Sequence, residues 1–245
     1  MTTLETGEIH FLFRPTVDET DPSGLPDVRN FVMVLAPRGE QRRRLITVGK
    51  KRLPDMEQDE RLWGYVAAVY DEPGALAEEL GEHQYTTRTQ GERLQPAARP
   101  VGSGTYALVA RRRRTELAYV LALPEEPGEV QDEFNLLPEA SYTISVKNPQ
   151  AGSPPEVGLD DEEQVEFPED LQARFDGRRW APVDPPAFLD HAGTEILLIG
   201  TSDDVTGDDE LDIAPDETTP DDMLAQLRLD AEEHPVEPLV DGAWA

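Results

Sequence analysis

The sequence predicts an α+β protein: a largely antiparallel sheet built from a duplicated strand-strand-helix-strand unit, followed by a flexible acidic C-terminal region. Three observations predict it. The segment YVAAVYDEPG at 65–74 returns as YVLALPEEPG at 119–128, identical at six of ten positions and offset by 54 residues, which is the mark of an internal duplication. Around both copies, β-branched and aromatic residues alternate with polar ones at the period of a strand. Charge is distributed unevenly. Residues 1–124 hold 17 basic and 18 acidic side chains, whereas residues 125–245 hold 5 and 33, and the whole chain carries a formal net charge of -29.

The elements follow in order. EIHFLFRP and FVMVLAP read as two leading strands. The first copy, about 45–90, contains RLITVG and RLWGYVAAV as paired strands, a short helix with Leu76 and Leu80 one turn apart, and YTTRT as a closing strand. The second, about 106–148, repeats this with TYALVA, TELAYVLAL, a helix bearing Val130 and Phe134, and YTISV. Together these make a duplicated core over 1–149. Residues 150–166, QAGSPPEVGLDDEEQVE, have the proline, glycine and acid content of a linker. Residues 167–201 then supply a helix with Pro168 near its first turn, a strand in RRWAPVD and the unalternating strand TEILLIG, which is expected to complete the core from a buried position. From 202 to 245 the chain is an acidic tail. Within it a short helix is predicted over 220–229, with Thr219 as N-cap and Pro220 at the first helical position. Leu224, Leu227 and Trp244 are the tail residues expected to dock.

Half of the 22 basic residues fall in three clusters. Arg111, Arg112, Arg113 and Arg114 stand at the tip between two predicted strands of the second copy. Lys50, Lys51 and Arg52 stand at the matching tip of the first, and Arg42, Arg43 and Arg44 follow Arg38 in a neighbouring turn. Adjacent guanidinium groups repel one another unless an anion is near, and their fork of donors suits carboxylate or phosphate. The competing explanation is solvated turn charge offset locally by Glu40, Asp55, Glu57 and Glu116. All of these except Arg38, ten cations, form the candidate anion-binding set, and the expected partner is an acidic protein or other polyanion, or the protein's own tail.

Composition narrows the chemistry. With no cysteine, thiol catalysis, disulfides and cysteine-ligated metals are excluded. The four histidines, His10, His83, His191 and His234, lack the spacing of zinc ligands. No nucleophile elbow appears. Gly102-Ser103-Gly104 precedes a strand and not a helix, so it is not read as a phosphate loop. Asp190 and His191 are the acid–base candidates, and a hydrolase with a carboxylate and histidine site, metal-assisted or not, is the alternative to a binding protein. The segment DDVTGDDELD resembles a calcium loop in composition without its ligand order. No nucleic-acid module is present, and the net charge disfavours polyphosphate. Neither a secretory leader nor a run of 18 apolar residues occurs. The expectation is a cytoplasmic, non-catalytic binding or adaptor protein that needs no cofactor.

Overall fold

The computed structural model describes residues 1–244 other than 57, 59, 90, 153–157, 161–162, 201–212 and 216. The strands among them are β1 (Thr2–Pro15), β2 (Val28–Pro37), β3 (Arg43–Val48), β4 (Arg61–Tyr70), β5 (His83–Thr87), β6 (Gly91–Gln95), β7 (Arg99–Arg111), β8 (Arg114–Leu123), β9 (Glu139–Lys147), β10 (Trp180–Pro182) and β11 (Glu195–Gly200). The α-helices are α1 (Pro73–Leu80), α2 (Glu129–Glu133), α3 (Glu169–Ala173), α4 (Pro220–Leu227) and α5 (Glu237–Val240). Eight strands run β9-β11-β4-β3-β2-β1-β7-β8, and β8 pairs back onto β9 to close an antiparallel barrel. Closure pairs the two outermost strands with each other, which removes most of the edge-pairing hazard of an open sheet.

This corrects the expected α+β fold built from a duplicated unit. After β3 and β4 the chain forms α1 and then β5, and after β7 and β8 it forms α2 and then β9. The third strands go to different places. β9 joins both β8 and β11 and seals the barrel, whereas β5 pairs only with β6 in a separate two-stranded sheet. The place opposite β4 that β5 would need is taken by β11, which arrives from the far end of the chain and inserts between β4 and β9. The helices of the two segments, eight and five residues long, pack differently: α1 sets Leu76 and Leu80 in an outer cluster and α2 sets Val130 in the main core.

Packing explains why β1 and β2 lack a clean polar face. Ile9, Phe11 and Phe13 of β1 with Phe31, Met33 and Leu35 of β2 fill the main core. Leu12, Val32, Val34 and Leu45 belong to a second cluster, completed by Leu76 and Leu80 of α1 and by Met223, Leu224 and Leu227 of α4. A strand buried on both faces loses its alternation. Each of these side chains contributes about 1.5–3 kcal/mol on burial, enough to offset the ordering of one short helix.

The wall bends where glycine lets backbones approach. A Cβ on Gly7 would stand 2.1 Å from the carbonyl oxygen of Ala36, and one on Gly104, at a bulge in β7, 2.1 Å from that of Val120. Only glycine fits such contacts.

Alternating strand direction sorts the connections to two mouths. At the upper mouth lie the start of β1, the β2–β3 turn, the β7–β8 turn and the start of β11. At the lower lie the β3–β4 loop and the β8–α2–β9 connection. The lower mouth is filled by aromatic rings: Phe134 stacks on Phe31 at 4.7 Å and on Phe13 at 5.5 Å, and Trp244 meets Phe13 at 5.3 Å. The strap carrying Trp244 is tied down by the Val130 N–H donating to Gly242 O at 3.1 Å and the Gln131 amide donating to Pro238 O at 2.8 Å. At the upper mouth, residues 167–190 fold across with Phe167, Phe175 and Phe188 clustered together.

Candidate anion-binding site

The β2–β3 turn delivers Arg42, Arg43 and Arg44 to the upper mouth, where two of them meet carboxylates from remote parts of the chain. Arg44, whose side chain is 2 % exposed, donates two N–H groups to Glu5 at 2.6 and 3.0 Å and its Nε–H to Asp190 Oδ1 at 2.8 Å. The Tyr106 hydroxyl donates to the same Glu5 at 2.7 Å. Burial opposes the charge on Arg44, but the Glu5 hydrogen bonds and the nearby carboxylates more than offset it and hold its pKa above the ordinary arginine value. Burial, with the Glu5 charge beside it, pushes the Tyr106 phenol well above its usual range. The second oxygen of Asp190 pairs with Arg42 at 2.6 Å. Arg43 donates to the carbonyls of Arg42 and Glu40.

Asp190 and His191, the expected acid–base pair, are therefore placed differently from what a catalytic pair needs. Both oxygens of Asp190 are committed to Arg42 and Arg44, which fasten residues 186–190 to β3 across 146 positions of sequence. The His191 ring stands edge-on to Phe167 at 5.7 Å. Among the described residues no group of three histidine, aspartate or glutamate side chains could hold a metal ion. The segment of calcium-loop composition, 203–212, lies outside the described residues.

Lys50, Lys51 and Arg52 occupy the lower mouth. Lys50 and Arg52 both pair with Glu60, at 3.2 and 2.9 Å, and Lys51 donates to the carbonyl of Val28. Although burial works the other way, the Asp55 N–H and the two cations hold the Glu60 carboxyl below its usual pKa. The expectation that this tip and the Arg111–Arg114 tip sit equivalently is overturned by strand direction. β3 and β7 lie three places apart in an alternating sheet and run oppositely, so the turns that follow them emerge at opposite mouths.

The β7–β8 turn is the most open of the clusters. Its outer arginines are anchored: Arg111 and Arg114 pair with Glu116 at 2.5 and 2.7 Å, and Glu116 is 1 % exposed. Arg112 and Arg113, between them, are exposed and make no ion pair or hydrogen bond with any described residue. Arg112 has φ of +50°, a left-handed conformation that costs a side-chain-bearing residue about 1–2 kcal/mol and that glycine or asparagine usually fills. Lys50 and Lys51 share that strain with φ of +57° and +58°, but both have partners that account for their identity. With Met1, the four arginines line a shallow hollow of about 690 Å³.

The tail residues expected to dock are placed plainly. Leu224 and Leu227 are buried in the outer cluster, Thr219 caps α4 by accepting the Asp222 N–H at 3.1 Å, and Trp244 packs in the lower mouth. Residues 201–212, the most acidic part of that tail, lie outside the described residues. Sequence reasoning did not single out Glu5 and Glu60, the carboxylates that absorb two of the basic clusters. Nor did it find the pairing of His10 Nδ1 with Ser103 Oγ at 3.0 Å, which is what the middle of Gly102-Ser103-Gly104 serves. Complementary charge is the only sequence signal for the first, and none exists for the second. No helix among the described residues is long and apolar enough to cross a membrane. The fold and this surface define a closed antiparallel barrel with an exposed cationic turn, of which Glu116 offsets only the outer arginines among the described residues. Comparison with family models, with curated proteins and with solved structures finds no match to the chain.

Proposed function

We propose that the protein is a non-catalytic binding or adaptor protein that engages an acidic surface through the β7–β8 turn. One observation carries this reading: Arg112 and Arg113 project without a partner among the described residues, in a turn whose backbone would be better served by glycine. The other clusters are explained by what they hold together inside the molecule. Arg44 and Arg42 clamp the segment over the upper mouth, and Lys50 and Arg52 fix the β3–β4 loop through Glu60. Both mouths are filled, which favours an outward-facing surface over an internal cavity. The acidic C-terminal region offers the same chemistry within the molecule and is the natural competitor.

Binding of poly-glutamate to the full chain, measured by fluorescence anisotropy, tests the reading against the double variant Arg112→Glu with Arg113→Glu. Exposed pairs contribute about 0.2–1 kcal/mol each. Turning two attractions into repulsions weakens binding by about 1–3 kcal/mol, or roughly 5- to 150-fold. Equal affinity for the two proteins overturns the proposal.

A further inference from the structure

The upper mouth carries a second feature that belongs with the arginine turn. β1 begins pairing with β7 at Thr2, opposite Ala110, but its pairing with β2 begins only at Gly7, opposite Pro37. Between these points the chain of β2 has already turned away, and its last contact with β1 is the Arg38 N–H donating to Thr6 O at 2.8 Å. Residues 2–5 of β1 therefore have a strand on one side and, among the described residues, none on the other. Along this interval the barrel wall offers an unfilled hydrogen-bonding edge.

Charge flanks that edge at both ends. Thr2 stands opposite Ala110, next to the arginine turn, and Met1 lines the hollow with Arg111, Arg112, Arg113 and Arg114. At the other end the exposed Arg38 sits at the point where β2 departs. Four residues of strand span about 13 Å, so the two cationic flanks bracket a short extended segment. Thr2 and Thr3 are exposed and Leu4 half-buried, and the one charge in the interval, Glu5, is held by Arg44 and Tyr106.

We infer that the acidic partner is an extended peptide segment of a second protein that adds as a strand beside Thr2–Glu5, with acidic side chains at each end meeting the arginine turn and Arg38. The inference rests on the proposed function and sharpens it. Backbone pairing along a sheet edge supplies affinity without a deep pocket, while the side chains at the two ends set selectivity. A bulge at Leu4 shifts the β1–β7 register between Thr3 and Glu5, and bulges of this kind are common where edges are guarded against indiscriminate pairing. Requiring acid at both ends of the incoming strand would make such a guarded edge selective.

The probe is the octapeptide Glu-Glu-Thr-Val-Thr-Val-Glu-Glu, blocked at both termini, together with two isomers N-methylated at alternate central amides. One set of methyl groups faces the edge and the other faces away. The expected result is binding of the parent, at least a tenfold loss for one isomer and little change for the other. Slower hydrogen exchange at residues 2–5 on adding the parent peptide is expected as well. Equal binding by all three peptides, or unchanged exchange at residues 2–5, overturns strand addition but leaves the charge-based proposal standing. Failure of the parent to bind while poly-glutamate binds also overturns it, and failure of both overturns the proposed function itself.

Discussion

Lowering the pH from 7.5 to 5.0 is expected to destabilise the protein through His10 by an amount that can be worked out. His10 lies on β1 and is 1 % exposed. Its Nδ1 pairs with Ser103 and its Nε2 is buried without a partner. Arg43 faces it from β3, and Glu8, two residues away on β1, is held by Gln226 of α4. Burial, and secondarily the Arg43 charge, push its pKa from 6.5 down to about 3. A histidine whose folded pKa is depressed contributes stability that is fully present above about 6.5 and is lost as pH falls toward the folded value, because the unfolded chain takes up the proton first. Between pH 7.5 and 5.0 the loss is about 2 kcal/mol, and it reaches about 4 kcal/mol near pH 3. Urea unfolding at the two pH values measures it, with His10→Asn as the reference, since asparagine keeps a polar atom near the Nδ1 position and does not titrate. Carboxylates titrating in the same range cancel in the difference between the two proteins. Parallel stability curves for wild type and His10→Asn would show that His10 is not held neutral by burial, and the reasoning would fail.

Two further outcomes follow from the two mouths. Arg44→Met leaves Glu5 and Asp190 without their buried partner and is expected to cost about 3–5 kcal/mol, read as a lowered urea midpoint; a loss below 1 kcal/mol would mean that the network is dispensable. Trp244→Ala removes the ring lodged against Phe13 and Phe134 and is expected to cost about 2–4 kcal/mol, discounted from a fully buried tryptophan because Trp244 is only partly covered. An unchanged thermal midpoint would show that the strap does not seal the lower mouth.

Much of the wall was legible residue by residue, because strand-forming side chains are a local property of the sequence. TELAYVLAL falls in β8 and TYALVA in β7, and their β-branched and aromatic residues mark them as strands although both are buried along most of their length. Closure was not legible. It depends on β11 entering between β4 and β9, a pairing of segments about 130 residues apart, and nothing in EILLIG names its neighbours. The same ignorance of strand order led the two basic tips to be placed alike, although relative direction in the barrel sends them to opposite mouths. At the site, the cationic turn was visible as four arginines in a row, and Glu116 was correctly marked as a nearby carboxylate. Asp190 shows the limit: beside His191 it resembled half of an acid–base pair, and only folding brings Arg42 and Arg44 to it. Thr219 before Pro220 was readable because helix capping is a matter of adjacent residues.

The contrast between the two stoppers has a mechanical consequence. One rim is shut by buried guanidinium and carboxylate groups beneath a cluster of phenylalanine rings and the other chiefly by stacked rings, so the two respond unequally to solvent. Alcohols or small aromatic solutes compete for rings at both, whereas the buried ion pairs that also hold the first are little screened by salt. The hydrogen-bonded cylinder between them offers almost no place from which to unzip, so either rim can fray while the staves hold.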